Sequence, residues 1–89
     1  MISLIIRFGF IKIDIPYTSI IKIIKIKASL SLIGKTVDEI SLHGEFEVVA
    51  IERHDITMMP LKDTKIKDND TIYFSVLEES LLKFKEILY

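Results

Sequence analysis

Thr71-Ile72-Tyr73-Phe74-Ser75-Val76-Leu77 is the stretch whose reading decides the fold. Ile72, Phe74 and Val76 recur with period two, so they share one face of an extended strand, where β-branched and aromatic side chains pack well. Glu78 and Glu79 then bring negative charge to the first turn of a helix, where it meets the positive end of the helix dipole. Leu77, Leu81, Phe84 and Leu88 follow at helical spacing, as a single apolar stripe. A buried strand running directly into an amphipathic helix predicts an α+β fold.

Working back from this strand, Glu45 to Arg53 alternates Phe46, Val48 and Ala50 with Glu47, Val49 and Ile51, which predicts a strand buried on both faces towards its end. His54-Asp55 reads as a tight turn into Ile56-Thr57-Met58-Met59. The two runs make a β-hairpin closed by Pro60, and a polar loop from Leu61 to Asp70 leads on to Thr71. Further upstream, Thr36-Val37-Asp38-Glu39 has the form of a capping box, in which hydroxyl and carboxylate each satisfy a backbone amide of the other residue. It predicts a short helix beginning at Thr36, with Val37 and Ile40 on its inner face and Gly44 ending it, or the turn after it, through a positive φ. Such a cap contributes about 1 kcal/mol, so it fixes where the helix starts more than it stabilises the domain.

The run Ile20 to Lys27 has lysines three apart, which suits a helix face, but its isoleucine density favours a strand. Ile2 to Phe8 and Phe10 to Ile15 are two more β-rich segments, with Gly9 marking a bend and Pro16 ending the run. This N-terminal extension either adds a hairpin to the sheet or exchanges with a second copy. Ile-rich strands leave unpaired backbone groups that pairing must cover.

Composition supports one folded module. The chain has 89 residues, 49% of them hydrophobic and 28% charged, with a mean hydropathy of +0.39. That places it far from the low-hydrophobicity, high-charge corner of disorder, although a chain this short buries only about 60–65% of its unfolded surface. Charged residues interrupt the Ile-rich N-terminal third, so no transmembrane helix is expected. With no secretory pattern and no cysteine, the expected location is cytoplasmic. Residues 1–35 carry a net +5 and residues 36–89 a net −6, consistent with −1 overall. The lysines stand among isoleucines without aromatic stacking partners or clustered arginines, which speaks against nucleic-acid binding.

Three segments taken together carry a family resemblance: Leu32-Ile33-Gly34-Lys35-Thr36-Val37-Asp38-Glu39-Ile40, Val48-Val49-Ala50-Ile51-Glu52-Arg53, and Asp63-Thr64-Lys65-Ile66-Lys67-Asp68-Asn69-Asp70-Thr71-Ile72. They resemble the TrkA C-terminal domains, also called RCK C-terminal domains, which sit on the cytoplasmic side of potassium channels, potassium uptake systems and other ion transporters. The resemblance divides the chain into a β-rich extension, residues 1–19, and a TrkA-C-like domain, residues 20–89. It implies a small, sandwich-like β-α-β-β-β-α domain with a mostly antiparallel sheet. It also implies a homodimer whose two copies form a cleft for a small effector. Binding there would change the geometry of a membrane potassium or cation channel or transporter subunit and hold the module at the inner face of the membrane through that partner. An effector shifts such a partner only by its differential affinity for two arrangements. A structural assembly domain with no small-molecule ligand is the alternative.

The chemistry-bearing residues are few. His43 and His54 are the only histidines, and without cysteine a zinc site would need carboxylates from separate segments, so no metal is expected. His54 and Asp55 could pair as base and orienter, but no nucleophile is placed by motif and a turn accounts for both. No catalytic residue and no enzyme are expected. Gly34-Lys35-Thr36 imitates the end of a phosphate-binding loop, but the earlier glycine falls at Ser29. No dinucleotide turn can be assembled from Gly9, Gly34 and Gly44, and no cofactor is expected. Some members of the resembled family bind cyclic di-AMP between two copies. They use apolar residues, an arginine and an asparagine near the helix-to-strand junction, and a proline at the hairpin end. Pro60 matches the proline, the arginine region is occupied near His43, and Glu47 stands at the asparagine position, where its charge opposes a phosphate. Ile40, His43, Glu47 and Pro60 are therefore the candidate cleft residues for cyclic di-AMP or another nucleotide effector, with His43 equally readable as an exposed loop residue. Met58 and Met59 are read as core filler and dimer packing.

Overall fold

A computed structural model describes the backbone of residues 3–7, 10–14 and 19–88, and the side chains of residues 20–88. The expected bend at Gly9 and stop at Pro16 lie outside the described residues. The strands are β1 (Ser3–Arg7), β2 (Phe10–Asp14), β3 (Ser19–Lys27), β4 (Phe46–Arg53), β5 (Ile56–Met58) and β6 (Thr71–Leu77). A single 3-10 turn, Glu78–Ser80, leads into the helix α1 (Leu81–Leu88). All strands join one antiparallel sheet in the order β1-β2-β3-β6-β4-β5. The β1–β2 hairpin extends the sheet beside β3.

β6 is hydrogen-bonded on both sides, to β3 and to β4. Its alternation does what the sequence predicts: Ile72, Phe74 and Val76 are fully buried, and the residues between them are half-buried. Helix α1 lies over that face and inserts Phe84 and Leu88 into the core. Phe46, Phe74 and Phe84 meet edge to face, with ring centroids 5.0–6.3 Å apart, the arrangement the ring quadrupoles favour. Leu32, Val37, Ile40 and Ile66 fill the rest of the core from the long connections.

The hairpin forms as expected. His54 and Asp55 both have positive φ, +52° and +62°, and Arg53 pairs directly with Ile56. Two central residues in the left-handed region give the turn whose twist matches the flanking strands.

Two expectations need correction. First, the helix expected at Thr36 is one turn, so the domain is a single sheet covered on one face, not a sandwich with two helices. The capping box is present: the Glu39 carboxylate accepts from the Thr36 amide at 2.9 Å, and the Thr36 hydroxyl accepts from the Glu39 amide at 3.2 Å. Ile40 closes one helical bond to Thr36 at 3.3 Å. Propagation then stops because the Ser41 hydroxyl takes the Val37 carbonyl at 2.7 Å, displacing the Ser41 amide to Asp38. The next amide, Leu42, is claimed by the Phe46 carbonyl at 2.9 Å. A capped turn without propagation cannot recover the cost of helix nucleation.

Second, β4 is not buried on both faces. The ladder pairs Val48 with Phe74 and then Ala50 with Tyr73, so Val49 is an extra residue in a β-bulge. The bulge moves Ile51 onto the face of Phe46, and both are buried.

Candidate functional site

The segment between β3 and β4 positions the candidate residues. Gly44, at φ +84°, lets the chain reverse, with the Glu45 and Phe46 amides both donating to the Leu42 carbonyl at 2.9 and 3.0 Å. The reversal places His43 beside the start of β4. Its Nδ1 lies 2.8 Å from a Glu47 carboxylate oxygen and its Nε2 lies 2.9 Å from a carboxylate oxygen of Asp38. With a carboxylate at each ring nitrogen, only the imidazolium can donate to both. The Glu47 contact, and then that of Asp38, holds the His43 pKa above its ordinary value of 6.5. The clamp is exposed, with side-chain accessibilities of 62% for His43, 54% for Asp38 and 52% for Glu47.

A second pair of contacts anchors the same turn to the helix. Lys83 lies 2.8 Å from Glu45, and the buried Ser80 hydroxyl donates to it at 3.2 Å. The lysine, followed by the serine, lowers the Glu45 pKa against a partial cost of desolvation. Between this turn and the sheet lies a groove of about 200 Å³, walled by Ile21, Leu77 and Ser75, with Glu47 on its rim and Gly44 at its end. A second hollow, of about 520 Å³, lies at the opposite end of β3 beside Lys25, Lys27 and Leu88, and none of the sequence candidates lines it.

The four candidates are thus only partly brought together. Glu47 lines the groove and His43 holds it. Ile40 is 4% exposed and belongs to the core. Pro60 is half-buried after β5, at the start of the connection whose Lys62 carbonyl accepts from the Asp38 amide at 3.0 Å. It does not line the groove. Sequence reasoning missed Asp38, because a residue five positions before His43 matches no helical or strand period. His54 and Asp55 are exposed turn residues. Among the described residues no His, Cys, Asp and Glu side chains gather as a metal-holding group of three or more.

Elsewhere Arg53 and the fully buried Asp70 form a two-pronged ion pair, Nε to Oδ1 at 2.8 Å and Nη2 to Oδ2 at 2.7 Å. The Lys67 amide also donates to Asp70, at 2.8 Å, and Arg53 reaches the Lys65 carbonyl at 3.1 Å. Arg53, ahead of the Lys67 amide, pulls the Asp70 pKa below its usual value, while burial works the other way. The signal for this pair was present in sequence only as a charged residue, Asp70, directly before the strand that begins at Thr71.

No curated protein matches the sequence. The TrkA-C domain profile matches residues 21–89, which run from within β3 through α1 and include the capped turn and the groove. The chain belongs to the TrkA-C domain family, the RCK C-terminal domains.

Proposed function

We propose that this chain is a cytoplasmic regulatory module for potassium or other cation transport, working as a homodimer that senses a small effector and acts on a membrane channel or transporter subunit. The observation that carries the reading is the family membership across residues 21–89, since TrkA-C is a regulatory and not a catalytic family associated with control of K+ transport. Among the described residues no helix is long and apolar enough to cross a membrane.

The groove beside Glu47 is the effector site that the geometry supports best. Of the clamp, Glu47 alone lines the groove, and it is tied through His43 to Asp38, so the clamp beside the groove is net negative. Such a clamp attracts cationic or neutral groups and repels the phosphates of a cyclic dinucleotide unless Glu47 is neutralised. Ile40 sits in the core and Pro60 on the connection after β5, and neither lines this groove.

One observation favours the alternative, an assembly domain that takes no small molecule. The groove's volume of about 200 Å³ falls below the roughly 300–1,000 Å³ of most ligand sites. Thermal stability across a panel of cyclic dinucleotides, adenine nucleotides and mono- and divalent cations separates the two. A ligand at 100 times its Kd adds about 2.7 kcal/mol, which for a domain of this size raises Tm by roughly 10–20 °C. A selective rise that Glu47→Gln or His43→Gln weakens supports the sensor. A flat response from an intact dimer leaves the assembly reading.

A further inference from the structure

The sheet has one face under α1 and one that stays open. Opposite the buried Ile72, Phe74 and Val76, β6 presents Thr71, Tyr73, Ser75 and Leu77, all half-buried. The ladders align these with Lys27, Lys25, Ile23 and Ile21 of β3, and align Thr71, Tyr73 and Ser75 with Glu52, Ala50 and Glu47 of β4. The face is therefore striped: exposed Lys25 and Lys27 beside Ile21 and Ile23 on one side, Thr71, Tyr73, Ser75 and Leu77 in the centre, and the carboxylates of Glu47 and Glu52 on the other. Among the described residues neither Lys25 nor Lys27 forms an ion pair.

We propose that this open face is the contact between two copies of the chain, packed sheet to sheet about a twofold axis running along β6, with Lys27 of each copy facing Glu52 of the other. This rests on the dimer reading above and assigns it a surface, which takes the groove of Ile21, Ser75, Leu77 and Glu47 into the cleft between the two copies. The two limiting directions for a twofold axis in the plane between the sheets are along the strands and across them. Across the strands, β3 would lie on β3 and β4 on β4, so no lysine of this face would meet a carboxylate. Along β6, β3 lies on β4, and Lys27 and Glu52, both level with Thr71, come opposite each other. Lys25, level with Ala50, then falls between Glu47 and Glu52 of the second copy.

The same axis also sets β2 against β5, because each lies two strands from β6. Sheets pack about 10 Å apart, a gap that opposed Lys and Glu side chains span together. Five strands at about 4.8 Å spacing and about 18 Å length bury on the order of 900 Å² in all, so the dimer is concentration-dependent rather than permanent.

The test is sedimentation equilibrium of the full chain over a range of concentrations, on the native protein, Lys27→Glu, Glu52→Lys, and an equimolar mixture of the two variants. Each single reversal sets like charges opposite each other twice per dimer and should raise the dissociation constant about tenfold. In the mixture every pair is again opposite in charge, so association should recover. Neither chain changes on mixing, so recovery cannot come from altered folding within one copy. A native dimer that both reversals leave intact overturns this face while the dimer reading stands. A native protein that stays monomeric throughout overturns the dimer reading itself and leaves the face to a different partner.

Discussion

Removing the guanidinium of Arg53 tests the strongest electrostatic claim the fold makes. Asp70 is fully buried and accepts three hydrogen bonds, two from Arg53 and one from the Lys67 amide. In Arg53→Ala the carboxylate keeps only the amide, and breaking one side of a buried ion pair costs about 3–5 kcal/mol. The Arg53 side chain is 21% exposed, so water can partly replace it and the lower end, about 3 kcal/mol, is the expected loss. Domains of this size hold roughly 5–13 kcal/mol in total, so this single change removes a quarter or more of the stability. At roughly 4–8 °C per kcal/mol the melting temperature should fall by at least about 12 °C.

Urea titration followed by circular dichroism at neutral pH gives the comparison. Acid should narrow the gap between native and variant. The folded Asp70 pKa is depressed, so its contribution is complete above the unfolded value of 3.8 and is lost as pH falls below that through the folded value. The companion change Arg53→Met with Asp70→Leu, which removes both charges, should recover most of the loss. A loss under about 1 kcal/mol in Arg53→Ala, or an acid dependence identical to the native protein's, would refute the reasoning, because both outcomes describe a solvent-screened surface pair.

Three further outcomes follow from the packing and the turns. His43 has a raised pKa, so the stability contributed by its clamp should be complete below the unfolded value of 6.5 and fade as pH rises through the higher folded value; His43→Gln should flatten that region of the stability profile, and an NMR titration of the ring should place its midpoint above 6.5. Phe84→Ala empties the middle of the aromatic cluster and should cost about 3–5 kcal/mol in urea unfolding, with Phe84→Leu losing clearly less. A Cβ at Gly44 would meet nothing within 4 Å, so Gly44→Ala should lose only the backbone term, about 1–2 kcal/mol for forcing a non-glycine residue to φ +84°, measured as a shift in the urea midpoint at unchanged slope.

Much of the fold was legible because local signals agreed. The alternation of β6, the tight turn at His54-Asp55 and the positive φ of Gly44 each follow from a residue pattern with a single physical solution, and so does the stripe of α1 except at Leu77, which ends β6 on the opposite face from Phe84 and Leu88. The capping box was read correctly as chemistry and wrongly as a helix. Thr36 and Glu39 make their reciprocal bonds, but Ser41 can serve a helix or compete with it, and only the pull of Phe46 on the Leu42 amide decides which. The candidate site was half legible for the same reason: His43 and Glu47 are local to one turn, whereas the place of Ile40 in the core and the distance of Pro60 from the groove depend on how the long connections pack.

What sequence alone could not supply is the bulge at Val49, and its consequences reach from the core to the buried ion pair. With Val48 opposite Phe74 and no extra residue, the ladder would continue with Ala50 opposite Ile72 and Glu52 opposite Asp70. A small side chain would then occupy the core position, Ile51 would point to the open face, and two carboxylates would meet at the buried end of the sheet. One inserted residue instead pairs Ile51 with Ile72 and Glu52 with Thr71, which carries Arg53 to Asp70. The same shift puts Glu52 on the open face level with Lys27. The alternating pattern of β4 therefore looked two-sided because it is two one-sided patterns joined out of phase. The bulge is the step that makes hydrophobic burial, charge pairing and the striped open face mutually consistent.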